Sequence, residues 1–307
     1  MTLDHPAKTP VRPDAIIVGA GPAGLTAALY LGRFRRRVLV IDGGDSRAAW
    51  IPTTHNHPGF PDGVAGTTLL DLQKEHALRY GARIQKGTVQ ALSAADDGFV
   101  LEIDGDTLRA ATVLLACGVE DNAPMLPNVD EAVRRTLMRI CPICDGFEVT
   151  GQRVGVIGHG PLGAREALFL RTYADHLTLI HIAAPDALPA EERALLADAN
   201  VTVIETPIES VELQLDQPRA LCFAGAGRME FDALYSALGV TPRTGLALAM
   251  GARHDDQGRL EVDDHQQTSI PGLYAAGDMV RGLNQITTAQ GEAAIAATAM
   301  HNRLRGV

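Results

Sequence analysis

Asp14-Ala15-Ile16-Ile17-Val18-Gly19-Ala20-Gly21-Pro22-Ala23-Gly24 is the stretch that decides the fold. Its first five residues form a short apolar run, a strand in outline. A helix-like stretch follows from Leu25 to Leu31, and a second apolar run, Val38-Leu39-Val40-Ile41, ends at Asp42. Strand, G-x-G-x-x-G, helix, strand, acid is the order of a dinucleotide-binding unit. The first glycine permits the tight turn, the second lets backbone approach a pyrophosphate, and the third lets helix pack on strand. The helix N-terminus favours phosphate, and a carboxylate at Asp42 can accept hydrogen bonds from a ribose hydroxyl.

The pattern occurs twice. Arg153-Val154-Gly155-Val156-Ile157 leads into Gly158-His159-Gly160-Pro161-Leu162-Gly163, an apolar-periodic helix runs through Leu170, and Leu177-Thr178-Leu179-Ile180 follows. Each glycine of this second loop lies 139 positions after its counterpart in the first. One such loop is a weak signal, whereas two in full context predict an α/β chain with two Rossmann-like domains. The offset also exposes a difference: the position matching Asp42 is His181, followed by Ile182, Ala183 and Ala184. The second loop keeps a phosphate cradle without an acid or arginines to read a ribose.

Composition narrows the class. A length of 307 residues suits about two domains. Thirty-one glycines against 4% aromatic residues favour turn-rich α/β nucleotide-binding folds. A formal net charge of −10 disfavours a nucleic-acid partner. The densest basic run, Arg33, Arg35, Arg36 and Arg37, reads as a solvated helix end. No run approaches the roughly 18 apolar residues of a membrane span, and Met1 to Pro13 lacks a leader's apolar core. A cytoplasmic location without membrane association is therefore expected.

Between the repeats stands Arg139-Ile140-Cys141-Pro142-Ile143-Cys144-Asp145-Gly146-Phe147. A C-x-x-C at a helix start can bring two sulfurs within disulfide reach, and the helix dipole makes a thiolate available. Half a zinc site is the competing reading, but neither Cys117 nor Cys222 sits in a second C-x-x-C, so no metal is expected. Those two cysteines read as small core residues in strand-like runs. Asp145, next to the pair, is placed to exchange the proton that thiol–disulfide chemistry must move.

Together these motifs resemble the low-molecular-weight thioredoxin reductase family nearly end to end. The resemblance rests on the Gly19–Gly24 loop, Thr53-Thr54-His55-Asn56-His57-Pro58-Gly59-Phe60, Cys141–Phe147, the second glycine loop with Glu166-Ala167-Leu168, Ala237-Leu238-Gly239-Val240-Thr241-Pro242, and Ala275-Ala276-Gly277-Asp278. It implies a discontinuous FAD domain, 1–118 with 243–307, and an inserted pyridine-nucleotide-type domain, 119–242, carrying the cysteines. The expected FAD-binding residues are Gly19, Gly21, Pro22, Ala23, Gly24, Asp42, Gly43, Asn56, Gly118, Gly277, Asp278, Asn284, Gln285 and Ile286. By the same resemblance Cys144 is the flavin-proximal sulfur, Cys141 attacks the partner disulfide, and the protein is a homodimer.

The chain departs from the family at several positions. Of the nicotinamide signature H-R-R-x-x-x-R only His181 remains, with Ile182, Ala183 and Ala187 at the arginine positions. The usual A-T-G is Ala116-Cys117-Gly118, the usual R-Q is Asn284-Gln285, and Pro142 replaces a small residue. Weak NAD(P)H binding is therefore expected. The leading expectation is a disulfide reductase acting on a thioredoxin-like protein or a small disulfide, with NADPH bound unusually or a non-nicotinamide donor such as a ferredoxin or a second flavoprotein. A dithiol oxidase closing a disulfide in a small molecule, with oxygen as acceptor, is the alternative. A non-catalytic flavin redox sensor is a third.

Overall fold

The computed structural model describes residues 12–124, 129–213, 219–225, 227–280 and 282–307. The opening, Met1 to Pro13, whose lack of an apolar leader core is an expectation from the sequence, lies almost wholly outside them. The chain forms two compact units: Met1–Ala49, Thr67–Val119 and Pro242–Val307 make the first, and Trp50–Gly66 with Glu120–Thr241 the second. Among the described residues no helix is long and apolar enough to cross a membrane.

The first unit is built on five parallel strands in the spatial order Leu273–Ala275, Thr112–Leu115, Ala15–Val18, Val38–Asp42, Arg83–Lys86. Strands buried on both faces read as unbroken apolar runs, as Ala15–Val18 and Thr112–Leu115 nearly do. Alternation divides the side chains between two cores. Ala15, Ile17, Val38, Val40 and Leu114 face helices Pro22–Arg33 and Ile286–Arg305. Ile16, Leu39, Ile41, Val113 and Leu115 face an antiparallel layer of Val89–Ala95, Gly98–Ile103 and Asp106–Ala110. Fully buried Ile17 and Leu114 each contribute about 1.5–3 kcal/mol. The two helices meet through alanines, among them Ala27, Ala28, Ala293, Ala296 and Ala297, so their backbones approach closely.

The basic run sits at the helix exit as expected, with Arg33, Arg35 and Arg37 exposed and Arg36 half-buried. Only Arg33 lies in the helix's last turn. Arg35 turns the chain at φ 59°, Arg36 donates to His301 Nδ1 at 3.0 Å, and Arg37 pairs with Asp14. These arginines fasten the helix exit to its neighbours.

The second unit repeats the plan. Four parallel strands run in the order Thr202–Ile204, His176–His181, Arg153–Gly158, Ala233–Ala237. Helix Gly160–Leu170 covers one face through Ala164, Ala167 and Leu170. On the other face Ile157, Ile180 and Leu234 pack on Leu221, Phe223 and Phe231 of an antiparallel layer, Ile208–Glu212, Arg219–Phe223 and Gly227–Phe231. In each unit the chain leaves its first strand toward one side of the sheet and later returns on the other. The glycine loop therefore opens at the topological switch point, outside the carboxyl ends of the strands, where open α/β sheets bind ligands.

Candidate functional site

In the first unit the motif residues gather at those strand ends. Gly19–Gly24 follow Ala15–Val18, Asp42 closes Val38–Asp42 with Gly43 just beyond, Gly118 follows Thr112–Leu115, and Gly277-Asp278 follow Leu273–Ala275. Gly19 has φ 110°, and a side chain there would overlap the Ala116 carbonyl. A Cβ on Gly24 would overlap Gly19's carbonyl oxygen, so close helix–strand packing requires glycine. Gly21 differs from both: a Cβ there would meet only Ser46 Oγ, at 3.4 Å. Packing does not explain that glycine, whereas an approaching pyrophosphate does. Pro22 begins the helix at a position where its missing N–H costs nothing, and Ala23 is buried beneath Gly277. The residues present fit a dinucleotide cofactor.

Two carboxyls shape the same region. Asp278 lies 3.6 Å from Arg47. Glu292, on helix Ile286–Arg305, accepts the Gly277 backbone N–H at 2.7 Å and thereby anchors that loop from below. Burial raises its pKa to about 7, with the nearby Asp278 charge adding to the rise. Gln285 is the N-cap of this helix, Asn284 precedes it and Ile286 is its first residue. Asn56 falls in the second unit, where Thr54 Oγ1 donates to its carbonyl at 2.9 Å and its amide reaches the Ile143 carbonyl at 3.5 Å. It thus lies beside the cysteine turn.

That turn is built on the edge of the second sheet. Arg139 bridges in parallel to Tyr235, with its N–H on the Leu234 carbonyl and its carbonyl taking the Ser236 N–H, each at 2.8 Å. The chain then enters a single helical turn, Pro142–Asp145, with Cys141 as N-cap and Pro142 in the first turn. Cys141 and Cys144 are joined by a disulfide, both half-buried. Gly146 is obligatory: a Cβ would lie 2.7 Å from the Pro142 carbonyl and 2.9 Å from the Tyr173 ring.

Asp145 points into a polar clasp. Its carboxylate takes Arg139 Nη1 at 2.6 Å and the Tyr235 hydroxyl at 2.8 Å. Burial raises its pKa despite the opposing arginine. Burial also raises the Tyr235 phenol, which remains a donor. Arg139 and Tyr235 carry no sequence signal, since the contact depends on a strand arriving some 90 residues later. Glu292 was equally unmarked.

Of the two cysteines read as small core residues in strand-like runs, Cys222 keeps its place in a strand and Cys117 stands just past one, both only partly buried. Cys117 lies beyond the end of Thr112–Leu115, with its thiol near the Val18 carbonyl at 3.6 Å and its pKa pushed up to about 11 by burial. Cys222 lies on Arg219–Phe223 and is only partly buried.

In the second glycine loop one backbone N–H is met from within the chain. His181, 2% exposed, ends strand His176–His181 and accepts the Gly160 backbone N–H on Nε2 at 3.0 Å. Burial lowers its pKa. Gly160 has φ 51°, and the Ala187 carbonyl would lie 3.1 Å from a Cβ there. Arg193 clasps this covering segment, donating to the Pro185 and Leu188 carbonyls at 2.7 and 3.1 Å.

Residues 13–293 match the family described as pyridine nucleotide-disulphide oxidoreductase. The chain is 32% identical over 299 residues to a thioredoxin reductase of Treponema pallidum, covering 93% of this chain and 95% of that one. It is 31% identical over 279 residues to a thioredoxin reductase of Mycolicibacterium smegmatis, covering 87% and 88%. The crystal structure of thioredoxin reductase from Streptococcus pyogenes superposes with a TM-score of 0.89 at 26% identity, covering 97% of this chain and all of that one.

Proposed function

Because the chain belongs to the pyridine nucleotide-disulphide oxidoreductase family, as a low-molecular-weight thioredoxin reductase-like, FAD-dependent thiol–disulphide oxidoreductase, we propose that it reduces a disulphide of a thioredoxin-like protein or small molecule through Cys141 and Cys144, with a poor nicotinamide donor site. The observation that carries the reading is the Cys141–Cys144 disulphide on a turn whose next residue is a half-buried carboxyl in a polar clasp.

FAD, when bound, supplies a two-electron carrier. Gly19, Gly21, Pro22, Ala23, Gly24, Asp42, Gly43, Gly118, Gly277, Asp278, Asn284, Gln285 and Ile286 are proposed to hold it, with Asn56 near its ring. Two electrons and two protons convert the Cys141–Cys144 disulphide to a dithiol. The Cys141 thiolate then attacks a substrate sulfur, forming a mixed disulphide and releasing one substrate thiol. Cys144 attacks Cys141 in turn, restoring the internal disulphide and releasing the second thiol. Asp145, whose pKa burial raises, gives and takes a proton in these steps.

Ile182, Ala183 and Ala187 stand where arginines would bind an NADP 2′-phosphate. Two or three missing charge-assisted bonds cost on the order of 3–6 kcal/mol, roughly 10²–10⁴ in affinity. The same feature supports a second reading, a dithiol oxidase passing electrons to oxygen, which needs no pyridine nucleotide. Asp145 beside the pair favours the reductase.

An anaerobic titration of the flavin band with NADPH, then NADH, then a reduced dithiol tests both readings. Slow bleaching by either nucleotide supports the poor donor site. Fast reduction by micromolar NADPH refutes it, and rapid bleaching by the dithiol with oxygen-driven turnover favours the oxidase. Cys144→Ser is expected to trap substrate on Cys141 as a mixed disulphide, and Cys141→Ser to abolish turnover. Wild-type turnover in either variant refutes the mechanism.

A further inference from the structure

We infer that Arg139 and Tyr235 are positioning residues for thiol–disulphide exchange: each holds one oxygen of the Asp145 carboxylate, so that it stands at the end of the cysteine turn as the base that takes a cysteine proton. The inference deepens the reductase reading above and rests on its use of Asp145. A carboxyl beside a C-x-x-C pair needs a fixed direction and a charge before it can serve as a base. The residues of the turn itself supply neither.

The clasp is internal to the second unit and is fixed by backbone pairing. Arg139 stands on the sheet edge, held to Leu234 and Ser236 by two hydrogen bonds of 2.8 Å, which sets it level with Tyr235. The cysteine turn follows two residues later, so its last side chain folds back onto the pair that anchors it. Arg139 Nη1 donates to Asp145 Oδ2 at 2.6 Å, and the Tyr235 hydroxyl donates to Oδ1 at 2.8 Å. Tyr235 is fully buried, and its hydroxyl lies 3.1 Å from the Asp145 backbone carbonyl as well. Two donors fill two of the roughly four acceptor positions of a carboxylate and leave the rest for a proton.

The surrounding charges divide. Burial disfavours the ionised form of Asp145, as does Glu148 on the next turn, Phe147–Val149, whereas Arg139 and Tyr235 favour it. Arg219, on strand Arg219–Phe223, adds a positive charge near Arg139 while donating to the Asp232 and Thr136 carbonyls at 2.8 and 3.3 Å. In each exchange a cysteine thiol gives its proton to Asp145 and attacks as thiolate. Asp145 then returns that proton to the substrate thiolate that leaves.

The test is the pH dependence of a single exchange that needs no nicotinamide. The FAD-loaded protein, reduced anaerobically with dithiothreitol and then separated from it, is mixed with an aromatic disulphide, and the released aromatic thiolate is followed by stopped flow. Cys141→Ser sets the background from other thiols, and Asp145→Asn identifies the acidic limb that belongs to Asp145. Arg139→Met removes the charge at similar length and is expected to move that limb up by about 1 pH unit, a loss of roughly tenfold in rate below it. Tyr235→Phe keeps the ring in its strand and removes one donor. It is expected to raise the limb by about half a unit, roughly threefold in rate. Arg139→Lys keeps a charge, and its limb is expected closer to wild type than that of Arg139→Met. A limb left in place in both Arg139→Met and Tyr235→Phe, or a rate lowered equally at every pH, overturns the positioning role while leaving Asp145 and the disulphide mechanism intact. A limb unaltered in Asp145→Asn overturns the reading of Asp145 and the inference with it. Should Arg139→Met fail to fold, the presence or absence of the shift in Tyr235→Phe decides.

Discussion

The two glycine loops of this protein share a spacing, a switch-point location and a sheet plan, and differ in what faces them. At Gly21 a side chain would meet almost nothing, a space that packing leaves open. At Gly160 the backbone N–H already has an acceptor and a carbonyl lies over the turn. Around Gly21 packing leaves room for a ligand, whereas at Gly160 one backbone N–H is already taken from within the chain. A repeated motif therefore reports a shared fold in both copies, while the surroundings of the motif differ from one copy to the other.

The largest expected effect breaks the comparison directly. Gly21→Val is expected to purify without the visible flavin band, because its side chain enters the space left for the pyrophosphate. Gly160→Val is expected to stay yellow. It should lose stability by about 1–2 kcal/mol, since a β-branched residue is forced to positive φ. A yellow Gly21→Val protein, or a colourless but folded Gly160→Val protein, would reverse the roles of the loops.

Next in size is repair of the second loop. Ile182→Arg with Ala183→Arg should improve NADPH-driven flavin reduction by roughly 10–10²-fold, two charge-assisted bonds partly offset by the cost of ordering the side chains. NADH-driven reduction should change little. Equal gains with both nucleotides would show that the arginines do not reach a 2′-phosphate.

A finer contrast concerns one half-buried carboxyl in each unit. Asp145 is clasped by Arg139 and Tyr235, and burial still raises its pKa. Asp145→Asn is expected to slow thiol–disulphide exchange by about 10²-fold, the scale of one acid–base group. It should also remove one limb of the pH–rate profile. An unchanged profile with reduced rate would mark Asp145 as structural.

At Glu292 burial, with the like charge of Asp278, holds the pKa at about 7, above the unfolded value of 4.5. The folded state therefore holds the proton more tightly. The stabilisation this brings is complete below about pH 4.5 and lost as pH rises through about 7. Glu292→Gln should flatten the fall in Tm between roughly pH 5 and 8, a change of about 2–4 °C. An unaltered slope would place the titration elsewhere.

Much of this architecture is local enough to be read from sequence. Alternating apolar runs, three glycines at fixed spacing and a proline at the first helical turn depend on neighbours within a few residues. They revealed both Rossmann-like units and their strand–loop–helix order. The C-x-x-C pair is equally local, because three positions on one turn suffice to bring the sulfurs together.

What only the tertiary structure decided is the state of each polar group at those sites. Asp145 meets Tyr235 because Arg139 registers against that strand, bringing together residues 90 positions apart. Glu292 reaches Gly277 because the last helix packs back under its loop. By sequence His181 was the residue that fails to replace an acid; in the fold it is the partner of Gly160. The physical reason is common to all three. Motifs specify where backbone donors and acceptors will be presented, while strand register and helix packing determine which side chain, or which ligand, is left to satisfy them.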